Sequence, residues 1–175
     1  MLFNSLDFGI FLPIVFSLYW FVFNSNLKIQ NALIVVASYV FYGWWDWRFL
    51  FLIFFSKIVD FFIGKYIFKV KSNKKRKILL IVSLFVNLGL LGFFKYYNFF
   101  VDNFIHAFSF FGTNISSKSL NIILPVGISF YTFQTLSYTI DIYRNKLEPS
   151  YDFLSFAAFV SFFPQLVAGP IERAT

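Results

Sequence analysis

The chain alternates long apolar runs with short polar breaks. The apolar runs cover residues 8–23, 29–45, 49–68, 78–94, 122–144 and 153–174. Most of them approach the ~20 residues that a helix needs to cross ~30 Å of hydrocarbon. This pattern predicts an all-α, polytopic transmembrane protein with about six membrane segments.

The composition supports this fold class. Of the 175 residues, 59% are hydrophobic, 25% are aromatic and 13% are charged, and the mean hydropathy is +0.71. A soluble domain of this size could not bury so much apolar surface, whereas a lipid bilayer can cover it. The chain has no cysteine, which excludes disulfides and thiolate metal sites. We expect the bilayer as a partner, and neither a metal nor a nucleic acid.

Positive charge is concentrated in residues 69–77, within a net charge of +7. Under the positive-inside rule this run is a cytoplasmic loop that sets the topology, and extra attraction to anionic lipid is compatible with that role. Three preceding spans then place the N-terminus outside, and Arg144 and Lys146 fall in the cytoplasm. The run is too short for nucleic-acid binding and is flanked by apolar spans. Its basic residues are Lys69, Lys71, Lys74, Lys75, Arg76 and Lys77.

Residues 95–112 mix polar side chains with Phe and Ile, and they predict a separate amphipathic helix lying along the membrane surface. If this stretch crossed the bilayer instead, Arg144 and Lys146 would fall outside, against the positive-inside rule. His106, the only histidine, lies here and is interpreted as an interfacial polar residue rather than a catalytic base.

Lys57 and Asp60 interrupt the third apolar run. They are three residues apart, so they can pair on one helix face. Two interpretations stay open. In one, a tilted helix near the interface lets its lysines reach the headgroups. In the other, Asp60 forms a buried polar site.

The fifth run opens with Pro125 and Gly127 and then carries polar residues on one helix face. Asp141 and Arg144, three apart, can also pair at the cytoplasmic end. The polar face is either hydrogen-bonding glue between packed helices or the wall of a substrate tunnel. Its residues, spaced three, four and three apart, are Tyr131, Gln134, Tyr138 and Asp141.

The sixth run is predicted to be a broken helix. Pro164 removes a backbone hydrogen bond within it, and Gly169 and Pro170 end it. A helix broken in this way exposes carbonyl groups that need partners, which fits a re-entrant segment buried in protein. Gln165 and Arg173 are nearby polar groups, and Gln165 is a further candidate for a tunnel wall.

No phosphate-binding glycine loop, HExxH pattern or His and Cys cluster is present, so these patterns alone do not name a reaction. Four motifs do resemble a known family, in order and over nearly the whole chain. They resemble the N-terminal part of the membrane-bound O-acyltransferases, in the bacterial alginate O-acetyltransferase branch. The motifs are ASYVFYGWWDWRFL (37–50), GFFKYYNFFVDN (92–103), LPVGISFYTFQTLSYTIDIYR (124–144) and FFPQLVAGPIER (162–173).

The resemblance implies a many-helix fold around a central tunnel in the bacterial inner membrane. It implies transfer of an acyl group, usually acetyl, from a cytoplasmic donor to a hydroxyl of an exported or cell-surface polysaccharide. The donor would be acetyl-CoA or an acyl-carrier thioester, and export proteins would be partners. The family's catalytic histidine lies well downstream of the Ala-Gly-Pro motif and has no counterpart here, since His106 does not align with it. Residues 1–175 are therefore expected to form an incomplete domain that is inactive alone.

Two other functions stay open. Broken helices with polar groups at membrane depth also suit half of a transporter or flippase. The missing catalytic half suggests, as a third alternative, a non-catalytic membrane scaffold for polysaccharide export.

Overall fold

The structure, a computed structural model, describes residues 4–110 and 127–168. Those residues fold into helices joined by short turns, with no strand among them, which confirms the all-α prediction. The helices are α1 (Leu6–Ser17), which continues as a π-helical turn (Leu18–Val22), α2 (Leu27–Asp46), α3 (Arg48–Lys69), α4 (Asn73–Phe110), α5 (Ile128–Tyr143), α6 (Phe153–Ser161) and α7 (Phe163–Ala168).

Local sequence determines where several helices begin. Ser5, Asn26 and Asp152 precede α1, α2 and α6, and each side chain accepts a hydrogen bond from an amide two or three residues further along. These contacts satisfy N–H groups that have no partner within the helix. Before α5, Gly127 has φ of 77°, in the left-handed region that glycine adopts without a steric penalty.

The helix α3 lies at the centre of the bundle, in contact with α2, α4, α5 and α6. The helix α5 packs against both α3 and α4, and α2 packs against α6. The core therefore forms around α3, and its fully or almost fully buried apolar residues include Phe41, Ile53, Phe61, Ile67, Ile142 and Val160.

The sixth apolar run is broken, as predicted. The helix α6 ends at Ser161, Phe162 takes a non-helical conformation with ψ of 106°, and the short α7 begins at Phe163. Pro164 has no N–H to donate to the preceding turn, and this is the physical reason for the break.

The prediction of a separate interfacial helix over residues 95–112 is wrong, because α4 continues without interruption to Phe110. After Gly92 the described part of α4 contains no glycine or proline, and its polar side chains do not end a helix; Asn103 Nδ2 instead donates back to the Phe99 carbonyl at 2.7 Å. The 38 residues of α4 extend about 57 Å at 1.5 Å per residue. The alternative, in which this stretch crosses the bilayer as a separate span, would need a turn before it, and α4 has none up to Phe110.

Within the described ranges, one helical segment, Asn73–Val101, has the length and apolar composition of a membrane span. Two shorter apolar helical segments are Leu6–Val22 and Phe153–Gln165. The helical class is thus established, whereas the number of spans remains a prediction.

The start of α4 lies against the end of α5. Arg76 Nη2 donates to the Tyr143 carbonyl at 2.8 Å and to Asn145 Oδ1 at 2.7 Å. Asn145, with φ of 57°, ends α5 in the left-handed conformation, and the Lys146 amide donates back to the Asp141 carbonyl. The basic segments 69–77 and 144–146 therefore lie at the same end of the bundle.

Gly64 permits the close approach of α3 to α5. A Cβ atom at this position would lie 2.9 Å from Ile142 Cδ1 and 3.0 Å from Tyr138 Cε1. By contrast, a Cβ atom at Gly89 on α4 would meet nothing within 4 Å.

We therefore predict that Gly64→Ala destabilises the bundle by about 1–3 kcal/mol, since α3 and α5 must move apart to admit the methyl group. Gly89→Ala is the matched control and should leave the melting temperature unchanged or slightly higher. Thermal unfolding in detergent, followed by tryptophan fluorescence, measures both. Equal melting temperatures for the two variants would contradict the close contact.

Candidate functional site

The most extensive polar cluster in the described ranges is centred on Asp60. This side chain is fully buried at 0% exposure. Ser83 Oγ donates to Asp60 Oδ1 at 2.6 Å, and Asn87 Nδ2 lies 3.0 Å from Oδ1 and 2.8 Å from Oδ2. These donors from α4 replace the water that the carboxylate loses on burial.

Asn87 extends the cluster to a third helix. Its Oδ1 accepts from Ser56 Oγ of α3 at 2.6 Å and from Thr135 Oγ1 of α5 at 3.4 Å. Its Nδ2 also donates to the backbone carbonyl of Ser83 at 3.0 Å. The amide therefore uses both its donor and its acceptor capacity, and one side chain links α3, α4 and α5.

Thr139 closes the cluster on the α5 side. Its hydroxyl lies 3.2 Å from Ser83 Oγ and donates to the Thr135 carbonyl at 2.8 Å. The six side chains of the cluster are at most 1% exposed: Ser56, Asp60, Ser83, Asn87, Thr135 and Thr139. We call this set the Asp60 cluster.

Sequence reasoning found one member of the Asp60 cluster and missed the other five. The missed signal is a repeated spacing, because each of three apolar runs carries two small polar residues four apart. Residues four apart share one helix face. The pairs are Ser56 and Asp60, Ser83 and Asn87, and Thr135 and Thr139.

The predicted contact between Lys57 and Asp60 is not formed. Lys57 Nζ instead donates to Tyr39 Oη on α2 at 3.3 Å and lies 4.7 Å from the centre of that ring. Residues three apart diverge by about 60° around a helix, so Asp60 faces α4 and α5 whereas Lys57 faces α2. Because Lys57 is 0% exposed, the interpretation that it reaches the interface is wrong, and the buried-site interpretation of Asp60 is favoured.

The four predicted tunnel residues of α5, Tyr131, Gln134, Tyr138 and Asp141, are all buried, at 2–7% exposure. None of them donates to the Asp60 cluster. The structure brings Gln134 and Gln165 together: Gln134 Nε2 lies 3.5 Å from Gln165 Oε1 and donates to the Phe159 carbonyl at 3.2 Å.

Phe159 lies in the last turn of α6, where carbonyl groups have no partner within the helix. The prediction that the broken helix needs outside hydrogen-bond partners is thus confirmed at this carbonyl, and Gln134 supplies one. This contact is the hydrogen-bonding glue that the sequence offered as one of two interpretations. It leaves the tunnel interpretation untested.

Tyr138 borders a cavity of about 210 Å³ at the basic end of the bundle. Its hydroxyl accepts a hydrogen bond from the Ser150 amide at 3.1 Å, and its ring centre lies 4.6 Å from that of Phe156. The cavity wall is mixed in polarity and consists of Tyr138, Leu147, Glu148, Ser150, Ser155, Phe156 and Phe159.

The turn before α6, which forms part of this cavity, is fixed by Asp152. Hydrogen bonds from the Ser155 hydroxyl and the Leu154 amide hold the pKa of Asp152 below its usual value. Asn31 of α2 donates to the same Ser155 hydroxyl at 3.0 Å. The start of α6 is therefore attached to the start of α2.

The predicted ion pair between Asp141 and Arg144 is absent. Within the described residues the only ion pair joins Asp46 and Arg48, at 2.7 Å. Asp141 is buried at 7% exposure, whereas the side chain of Arg144, the residue after the end of α5, is exposed.

A second cavity, of about 300 Å³, lies between α1, α2 and the break before α7. Gln30 Nε2 donates at 3.1 Å to the Tyr19 carbonyl, in the π-helical turn beside it. The wall of this second cavity is almost entirely apolar and consists of Leu12, Val15, Phe16, Tyr19, Trp20, Ile34, Phe162, Phe163 and Pro164.

Several predicted positions fall outside the described residues, namely Pro125, Gly169, Pro170 and Arg173. His106 lies within the described backbone of α4, but its side chain is not among those described.

Comparison with known proteins finds relatives over almost the whole chain. The chain is 40% identical over 166 residues to the probable alginate O-acetylase AlgI of Pseudomonas aeruginosa, and this alignment covers 94% of the chain. The corresponding protein of Azotobacter vinelandii is 39% identical over 166 residues, again 94% of this chain. The peptidoglycan O-acetyltransferase of Helicobacter pylori is 34% identical over a 202-residue alignment that covers 98% of this chain.

The chain is therefore a relative of the bacterial O-acetylases. The predicted resemblance to this branch of the membrane-bound O-acyltransferases is confirmed. The chain spans about a third of the length of these relatives, between 31% and 37%. No family model and no solved structure matches it.

We predict that Asp60→Asn lowers stability by about 1–3 kcal/mol, because an amide nitrogen would then replace a carboxylate oxygen to which Asn87 Nδ2 donates. Asp46→Asn makes the same chemical change in an ion pair whose arginine, Arg48, is 66% exposed, and it should have a smaller effect. Thermal unfolding in detergent measures both variants. If Asp60→Asn has the same melting temperature as the parent chain, the Asp60 cluster does not hold the three helices together.

Proposed function

We propose that this chain forms the N-terminal membrane portion of an O-acyltransferase. The complete enzyme would transfer an acetyl group from a cytoplasmic thioester to a hydroxyl of an exported or cell-surface polysaccharide. The observation that carries the proposal is the 34–40% identity to alginate and peptidoglycan O-acetylating proteins over at least 94% of this chain. The names of both kinds of relative describe O-acetylation, of alginate or of peptidoglycan.

In this proposal the described part of the chain is framework rather than catalyst. Its Asp60 cluster has no solvent-exposed polar group that could act on a substrate, because its members are at most 1% exposed. A histidine acting as general base on the acceptor hydroxyl would lie downstream of the matched region, as the family resemblance implies. The thioester donor and any export proteins would engage the complete enzyme.

We further propose that the bundle crosses the inner membrane several times, with its basic end in the cytoplasm. The contact of Arg76 with the end of α5 supports this orientation, since it gathers segments 69–77 and 144–146 at one end. The large apolar side chains exposed along α1 and α4, such as Phe16 and Phe85, suit contact with lipid or with further helices. The segment of α6 and α7 would then be re-entrant.

The tunnel would run inward from the Tyr138 cavity toward Gln134 and Gln165. Tyr138 supports this path because it borders the cavity at the basic end, where a cytoplasmic donor would arrive. Gln134 lies one turn further along α5 and contacts Gln165 across the break before α7.

The function is tested by replacing the matching segment of the P. aeruginosa alginate O-acetylase with this chain. We expect the chimera to acetylate alginate in membranes and the 175-residue chain alone to transfer no acetyl groups. A chimera that inserts at normal levels yet transfers nothing would contradict the proposed equivalence. Transfer by the isolated chain would contradict the framework role.

We predict that Gln134→Leu in the chimera reduces acetyl transfer by about tenfold or more, beyond its effect on folding. Gln30→Leu is the matched control, since Gln30 is also buried and also donates to a backbone carbonyl, but that carbonyl belongs to Tyr19, which lines the apolar cavity rather than the Tyr138 cavity. Activity per folded enzyme and melting temperature are measured for both. Equal activity losses at equal stability would favour the glue interpretation over the tunnel.

A further inference from the structure

The basic end of the bundle is a larger surface than the sequence run 69–77. The Arg76 contact adds residues 144–146, and the start of α2 adds Lys28, since Asn31 bonds to Ser155 at the start of α6. Exposed acidic residues at this end are Glu148 and Asp152, and the carboxylate of Asp152 is already bound by Ser155 and the Leu154 amide. The exposed cations are Lys28, Lys69, Lys71, Lys74, Lys75, Lys77, Arg144 and Lys146.

Arg76 differs from these eight cations. Its guanidinium is half-buried, donates to carbonyls at the end of α5 and lies 5.5 Å from the ring centre of Tyr143. It fastens α4 to α5. The lysines around it extend into solvent and take part in no ion pair among the described residues. The basic run therefore contains one structural arginine among lysines available to a ligand.

The position of these lysines along α4 indicates where they lie relative to the membrane. Exposed apolar side chains on α4 begin directly after Lys77, with Ile78, Ile81 and Phe85, of which Phe85 is 79% exposed. Lys74 and Lys77 thus lie within about one helical turn, 5.4 Å, of this surface. Cations beside a lipid-facing surface occupy headgroup depth, where anionic lipids attract them.

We propose that the basic end binds the phosphate headgroups of anionic phospholipids and that this binding stabilises the junction of α4 and α5. The proposal rests on the membrane placement given under Proposed function but not on acetyl transfer. It assigns two roles within one basic run: lipid binding to Lys74, Lys75 and Lys77, and helix attachment to Arg76.

The test uses the full chain in nanodiscs of phosphatidylcholine, with or without phosphatidylglycerol. The variants are Arg76→Gln, the triple change Lys74→Gln, Lys75→Gln and Lys77→Gln, and Lys95→Gln as a control outside the basic end. We expect phosphatidylglycerol to raise Tm of the parent chain by about 5 °C and the triple variant to lose this increase while keeping its Tm in phosphatidylcholine. Arg76→Gln should lower Tm in both lipids, and Lys95→Gln should resemble the parent.

Three results would overturn the proposal. The first is that phosphatidylglycerol fails to raise the Tm of the parent chain, and the second is that it raises the Tm of the triple variant by as much as that of the parent. The third result is an equal rise in the Tm of the parent chain when inorganic phosphate is added to phosphatidylcholine discs. The last would identify a free anion as the ligand. Because the readout is stability, failure here is distinguishable from failure of the chimera to transfer acetyl groups.

Discussion

The buried carboxylate of Asp60 is the constraint on which the rest of this bundle depends. A carboxylate without water must be surrounded by donors, and Ser83 and Asn87 can supply them only if α4 lies at hydrogen-bonding distance from α3. The Oδ1 atom of Asn87 then needs donors, and the hydroxyls of Ser56 and Thr135 provide them, which brings in α5. Apolar packing alone would hold these helices together in many registers. The polar cluster specifies one.

The fixed register of α3, α4 and α5 determines what lies around it. The approach of α5 to α3 places Tyr138 over Gly64 and beside Phe156, at the edge of a cavity. It also directs Gln134 toward the end of α6, where the Phe159 carbonyl, which has no partner within its helix, accepts a hydrogen bond from Gln134 Nε2. The polar groups of the bundle thus separate into a closed cluster that determines packing and a second set near the cavity. A framework of this kind suits the proposed N-terminal portion of an O-acyltransferase.

The sequence predicted the helices and the break at Pro164 because hydrophobic runs and proline act locally. The same local reasoning ended the fourth helix too early. It treated the polar residues after Lys95 as the start of a separate helix, but polar residues do not stop a helix that lacks glycine and proline, and α4 continues to Phe110. The partners of Asp60 and Lys57 were also unpredictable in this way. Both lie on one helix, and only the positions of α2, α4 and α5 decide that each meets a different neighbour.

The central claim is that complementary groups of Asp60 and Asn87 join α3 to α4, and exchanging them tests it most directly. Combining Asp60→Asn with Asn87→Asp returns a carboxylate to the cluster, now at position 87, where Ser56 and Thr135 already donate. The account predicts that the double variant unfolds at a higher temperature than either single variant. If the double variant instead loses as much stability as the two single variants lose together, the account is contradicted.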